Sequence, residues 1–244
     1  MINKLKQLVK EFLYHQLKIP YNSVGLPNSL TQYLSAKRSI SLMDVGAYNG
    51  SFTSSIEKYC GISQAVLVEP IPSMAKELLK TFSHPKYQIF SLALAEREGK
   101  QSFEVNEAKF TSSLLKIKKE MPEFSHIHLG ATDVITCETS TVDRLFQETS
   151  LKTLDLLKID VQGAEHLVLS GARNSLPHIH MVWTEFSFKP LYENSSTFMD
   201  IYEVLNNAGF KMMEVETGFR SPVGEILQGD ALFINPNFDA NGRK

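Results

Sequence analysis

The sequence predicts an α/β protein built on a doubly wound, mostly parallel sheet. Three observations predict it. From Ile40 onward, short apolar runs alternate with helical patterns, the arrangement of βαβ units whose sheet is covered on both faces. A glycine-bearing stretch, Asp44-Val45-Gly46-Ala47-Tyr48-Asn49-Gly50, stands where the first strand turns into a helix. The last two strands are separated only by a turn-rich loop, which reads as an antiparallel pair.

In order, the strands fall at 40–45, 65–69, 87–92, 154–160 and 180–185, with helices at 51–59, 73–82, 141–148 and 164–172. A further helix at 197–208 stops at Gly209, and strands at 210–216 and 231–235 follow. Residues 106–130 fit no regular element and read as a flap or partly helical lid; they include Lys116, Lys118, Lys119, His126 and His128. At the N-terminus, Ile2, Leu5, Val9, Phe12, Leu13 and Leu17 recur at helical spacing. Lys4, Lys6, Lys10 and Glu11 break any signal-peptide core. The polar face carries few charges for a membrane anchor, so this helix is expected to pack on the domain or on a second copy of the chain, making a homo-oligomer. Pro20 and the stretch after it read as a linker. The chain thus divides into an N-terminal extension at 1–39 and a catalytic domain at 40–244.

Composition narrows the function. The 244 residues hold 25 Lys and Arg against 27 Asp and Glu, a net charge of −2, without the basic excess of a nucleic-acid binder. An apolar content of 43 % suffices for a sizeable core. No run of 18 apolar residues occurs, so no membrane-inserted helix is expected. Cys60 and Cys137 make neither a disulfide framework nor a metal-ligand spacing, so a reducing, cytoplasmic setting is expected.

The loop at 44–50 is the strongest local signal. Gly46 and Gly50 let a ligand approach the backbone, and the following helix presents free N–H groups. In doubly wound sheets the ligand crevice lies at this edge. Glu69 ends the next strand, placed to accept the two ribose hydroxyls of a nucleoside. A dinucleotide is disfavoured, because Tyr48 and Ser51 replace the second and third glycines of G-x-G-x-x-G, and no P-loop is present. A ligand with ribose but no phosphate fits, and S-adenosylmethionine is the common one. Asp44 would lie near its amino-acid part, and Ser91, Leu92 and Ala93 near the adenine. Ala47, Tyr48 and Pro70 complete this group of candidates. An ordinary tight turn with Asp44 capping the helix is the competing structural reading.

A second strand-to-helix block, Lys158-Ile159-Asp160-Val161-Gln162-Gly163-Ala164-Glu165, brings Asp160 to the same edge if the first and fourth strands are neighbours. With DVGAYNG at 44–50, Glu69-Pro70, STVDRL at 140–145, KIDVQGAE at 158–165 and LSGARNSL at 169–176, the chain resembles the FkbM family of S-adenosylmethionine-dependent methyltransferases from about Ile40 to Glu216. The resemblance implies the class I methyltransferase fold, with seven strands and an antiparallel last one. It also implies O-methyl transfer to a hydroxyl of a sugar or sugar-containing metabolite, a small-molecule or glycan acceptor. One position departs from the family pattern: Gln162 stands where the pattern has Glu, which keeps the shape and loses the charge.

Methyl transfer to a hydroxyl gains from a base near the carboxyl edge of the sheet. Asp160 is the first candidate, with Glu165 and Glu185 beside it. Asp160, Val161 and Gln162 also stand as cofactor contacts. Each acid has a structural alternative: Asp160 could cap a helix, and Glu165 could satisfy first-turn N–H groups. Lys158 shares a strand face with Asp160 and reads as its ion-pair partner. The pairs His126/His128 and His178/His180 lack nearby ligands at metal spacing, so no metal site is predicted, while a divalent ion at Asp160 stays open. Two other functions remain on the residues alone: a nicotinamide-dependent oxidoreductase, which the missing glycine disfavours, and a non-catalytic cofactor-binding module.

Overall fold

The computed structural model describes residues 25–37, 39–107, 109–118 and 131–238, the side chains of 131 and 132 apart. The helix expected at 2–17, with most of its linker, lies outside the described residues, as do Lys119, His126 and His128. In chain order the elements are α1 (Asn28–Leu34), β1 (Ile40–Val45), α2 (Ser51–Cys60), β2 (Ile62–Val68), α3 (Pro72–Thr81), β3 (Tyr87–Phe90), β4 (Ala93–Leu94), β5 (Gly99–Asn106), β6 (Ala131–Ser140), α4 (Val142–Glu148), β7 (Leu154–Ile159), α5 (Glu165–Ser170), β8 (Ile179–Ser187), α6 (Phe198–Asn207), β9 (Lys211–Thr217) and β10 (Gln228–Ile234). Among the described residues no helix is long and apolar enough to cross a membrane.

The apolar runs of β1 and β7 are buried at every position, as strands covered on both faces must be. They lie side by side in a seven-stranded sheet of order β3-β2-β1-β7-β8-β10-β9. The first five strands of that order pair in parallel, and β10 runs antiparallel to both β8 and β9. The expected α/β class and the antiparallel last strand are therefore present. The chain leaves β1 toward β2 on one side and later returns on the other as β7. That change of direction opens a crevice beyond the carboxyl ends of β1 and β7.

Alternate residues of each strand feed two cores. On one face Met43, Val45, Leu157, Ile159 and Val182 meet Leu145, Val168 and Ile201 of α4, α5 and α6. On the other, Leu42, Leu67, Leu156, Met181, Trp183 and Leu232 meet Leu30 and Leu34 of α1, Ile56 of α2 and Leu78 of α3. Trp183 is 4 % exposed, a core residue as its place on a central strand suggests. Helix α1 falls within the expected extension, yet its Leu30 and Leu34 are fully buried with Leu26, so this part of the extension is built into the sheet core.

The sequence reading misses a second sheet, of order β4-β6-β5. Its strands are mostly polar, and Phe103, Val105, Ile135 and Cys137 supply its small core with Ile71 and Ala93. Such half-exposed strands carry little apolar signal. The strand expected at 87–92 accordingly ends at Phe90; Ser91 and Leu92 connect it to β4, where Ala93 begins the second sheet. The described part of the expected lid closes β5 with a single 3₁₀ turn at Lys109–Thr111 and returns along it through the Glu104–Ser113 bridge.

Candidate active site

The loop after β1 is shaped by what it crosses. Gly46 has φ +74°, and a Cβ there would lie 1.9 Å from the carbonyl oxygen of Asp160. Gly50, with φ +73°, precedes α2, and a Cβ there would lie 2.3 Å from the Phe82 ring. The glycine at 50 is thus required by packing against the end of α3. Glu69, immediately after β2, fixes the loop from below. Its carboxylate accepts the Tyr48 N–H at 2.9 Å and the Ile71 N–H at 2.8 Å. Burial pushes its carboxyl above the ordinary value, against the pull of those two N–H groups.

Asp44 differs from expectation. It is fully buried, accepts the Thr53 hydroxyl at 2.7 Å and lies 3.2 Å from Lys158 Nζ, beneath the loop rather than in the crevice. The cause is Lys158, whose buried ammonium must be paired. It donates to the Gly46 carbonyl at 2.9 Å and lies 3.5 Å from Asp160. Burial alone would lower its pKa, but Asp44 and Asp160 hold it above the ordinary lysine value. The expected Lys158–Asp160 pair is present, with Asp44 as a further and closer partner.

A cleft of about 510 Å³, open mouth included, runs over this loop. Gly46, Tyr48, Glu69, Pro70, Leu92, Ala93, Asp160, Val161 and Gln162 line it. Of the residues expected there, Asp44, Ala47, Gly50 and Ser91 do not. Ala47 and Gly50 turn into the packing below the loop, and Ser91 precedes the part of the β3–β4 connection that reaches the cleft. The opposite wall comes from residues that sequence reasoning did not name singly: Phe103 of β5, Lys109, Phe110, Ser112 and Leu114. Four of these lie in the segment read as a lid. Phe110 is 63 % exposed and stands edge-on to Tyr48, ring centroids 6.4 Å apart, at the cleft mouth.

Asp160 joins the cleft to a row of acids. Its side chain is 43 % exposed. Gln162 Nε2 donates to Asp160 Oδ1 at 2.8 Å and to Glu185 Oε2 at 3.0 Å. Asp230 of β10 stands directly across from Glu185 in one ladder and from Glu216 in the other. Burial, then Asp160, Glu165 and Asp230, push the Glu185 carboxyl well above the ordinary value. Burial likewise raises Asp230, to about 8. Asp230 lies just before the strand expected at 231–235, and nothing in the sequence singled it out; β10 in fact begins at Gln228. Tyr192 donates its hydroxyl to the Thr111 carbonyl at 2.8 Å and lies 3.3 Å from Gln162 Oε1.

Glu165 is not in the cleft. It is 2 % exposed, and its Oε1 accepts the N–H groups of Val161 and Gly163, each at 3.1 Å. It staples the turn before α5, the structural alternative to a catalytic role, and burial raises its carboxyl to about 7. His180 lies near the opposite end of β8 from Glu185 and stacks on Phe238. Among the described residues no cluster of three or more His, Cys, Asp or Glu is arranged to hold a metal ion.

The strand order, the antiparallel β10 and a cleft over the first glycine loop define a class I methyltransferase fold. The chain belongs to the Methyltransferase FkbM domain family, whose signature matches residues 44–212, and it is a methyltransferase. That membership removes the oxidoreductase alternative. The chain is 24 % identical over 213 residues to the 2-O-methyltransferase NoeI of Sinorhizobium fredii, covering 84 % of this chain and 86 % of that protein. Among solved structures it resembles the methyltransferase FkbM of Methylobacillus flagellatus KT, at a TM-score of 0.52 and 12 % identity over 81 % of this chain. It spans 44 % of the length of that structure. Aeropyrum pernix fibrillarin, solved with S-adenosyl-L-methionine, aligns at a TM-score of 0.47 and 12 % identity, over 81 % of this chain and 67 % of that one.

Proposed function

We propose that the chain is an S-adenosylmethionine-dependent O-methyltransferase acting on a hydroxyl of a sugar or sugar-containing metabolite. The observation that carries this reading is the shared cleft, in which Glu69 at the end of β2 and Asp160 at the end of β7 face one space across Gly46. The donor set fits the cofactor. Each Glu69 oxygen already accepts one backbone N–H and keeps a second lone pair for a ribose hydroxyl. Leu92, Ala93, Leu94, Ile71 and Phe103 offer an apolar slot suited to a purine. When bound, the cofactor supplies an electrophilic methyl group and a sulfur leaving group.

The chain's own residues then have two tasks. The loop from Gly46 to Tyr48, held by Glu69, and the wall at Phe110 orient the reactants and exclude water. Asp160, exposed to the cleft and anchored by Lys158, takes the proton that the acceptor hydroxyl loses as its oxygen gains the methyl group, a contribution of roughly 10²–10⁴-fold. Oxygen as the acceptor atom agrees with the name of the relative NoeI, a 2-O-methyltransferase. The test is transfer of a labelled methyl group to a panel of glycans and free sugars. Turnover on a hydroxylated sugar, reduced at least a hundredfold in Asp160→Asn, is expected. Tight cofactor binding with no turnover on any member would favour a non-catalytic module.

A further inference from the structure

We propose that Gln162 is a positioning residue for the proton-accepting carboxylate: its carboxamide stands between Asp160 and Glu185, donates one hydrogen to each, and keeps the two acids from sharing a proton. The inference rests on the O-methyltransferase reading for its purpose, though not for its geometry. An amide nitrogen has two hydrogens, and both are used here, at 2.8 Å to Asp160 and 3.0 Å to Glu185. The opposite orientation would aim the amide oxygen at two carboxyl groups. The Tyr192 hydroxyl lies beside the amide, 3.3 Å from Gln162 Oε1.

The backbone is arranged to deliver this side chain. Gln162 has φ +58°, a left-handed conformation unfavourable for a residue with a Cβ. It persists because its surroundings fix it. The Ser113 hydroxyl donates to the Gln162 carbonyl at 2.8 Å, and Gly163 lets Tyr192 pack so closely that a Cβ there would lie 2.9 Å from the ring. The segment after the 3₁₀ turn and the loop after β8 thus converge on this residue.

The two oxygens that the amide bridges lie within about 6 Å of each other. Without it, neighbouring carboxyl groups in a half-buried row would relax toward each other and hold one proton jointly. The groups that face them are Lys158 of β7, with Asp44 of β1 behind it, beside Asp160; Glu165 of α5, Asp230 of β10 and the Tyr192 hydroxyl surround Glu185, and Glu216 of β9 lies beyond Asp230. With the amide in place, a proton taken up by the row settles on the Glu185–Asp230 side. Asp160, paired to Lys158, stays free to accept the proton of the substrate.

The test is a carboxyl ¹³C NMR titration of the full chain labelled in aspartate and glutamate. It compares the wild type with Gln162→Met, which keeps length and removes the hydrogen bonds, and Gln162→Glu, which adds a charge; Asp160→Asn assigns the signal. The Asp160 midpoint is expected to rise by one unit or more in either variant, and the acid limb of the methyl-transfer pH profile to move with it. A smaller rise in a folded variant overturns the proposal. Lost activity with an unmoved midpoint likewise overturns it, by showing a merely structural role. If one variant fails to fold, the other decides. The titration needs neither cofactor nor acceptor, so failure of the wild type to bind S-adenosylmethionine would remove the functional reading and leave this result standing.

Discussion

The carbonyl oxygen of Asp160 lies where a side chain on Gly46 would begin, 1.9 Å from the ideal Cβ position. The loop after β1 and the end of β7 are therefore in direct backbone contact, and their separation is set by the absence of one methyl group. Gly46→Ala must open that contact as well as strain a residue at φ +74°. It is expected to cost at least about 2–3 kcal/mol and to abolish cofactor binding, measured by denaturant unfolding and calorimetry.

Lys158 holds the floor of the same junction. Removing its ammonium in Lys158→Met would leave the fully buried Asp44 with only the Thr53 hydroxyl. A loss of about 3–5 kcal/mol is expected, as for one partner removed from a buried pair. Adding Asp44→Asn should restore part of it, because the uncompensated charge is gone. Chemical denaturation of the single and double variants checks this.

The acid row gives stability a definite pH dependence. Glu165 and Asp230 titrate at about 7 and about 8 in the folded protein, above their unfolded values of 4.5 and 3.8. Across that interval the folded chain holds protons that the unfolded chain has released. Their stabilising contribution is complete below about pH 4 and is lost as pH rises through about 8. His166 and His180, lowered by burial from 6.5, act in the opposite sense as pH falls below that value. Comparison with Asp230→Asn isolates the acids: melting curves should show the variant more stable than wild type at pH 8, with the difference vanishing near pH 4.

Much of this was legible in the sequence, for physical reasons. β1 and β7 are buried on both faces and so appear as mainly apolar runs, and the ends of β1, β2 and β7 carry Gly46, Glu69 and Asp160 into one cleft as the spacing implied. What escaped depends on tertiary contact. Asp44 looked like a ligand residue because nothing local reveals that Lys158 rises beneath it. Gly50 looked like a glycine that lets a ligand approach, and nothing local reveals that the Phe82 ring, distant in sequence, fills the space beside it. The strands β5 and β6 alternate weakly between polar and apolar, so a sheet that supplies part of the cleft wall went unassigned on either side of the segment read as a lid.

Phe110 is where that wall meets the ligand space. Because it is mostly exposed and touches Tyr48 edge-on, Phe110→Ala should leave stability within about 0.5 kcal/mol of wild type. Cofactor affinity should fall roughly 2–10-fold through loss of one aromatic contact. Thermal melting and calorimetry on the same preparation separate the two effects.

The proposed function requires the cleft between Glu69 and Asp160 to bind S-adenosylmethionine, which isothermal titration calorimetry of the full chain measures. One-to-one binding in the micromolar range usual for enzyme ligands is expected, weakened at least tenfold in a folded Glu69→Ala protein. No heat of binding to the wild type, or undiminished binding to Glu69→Ala, would contradict it.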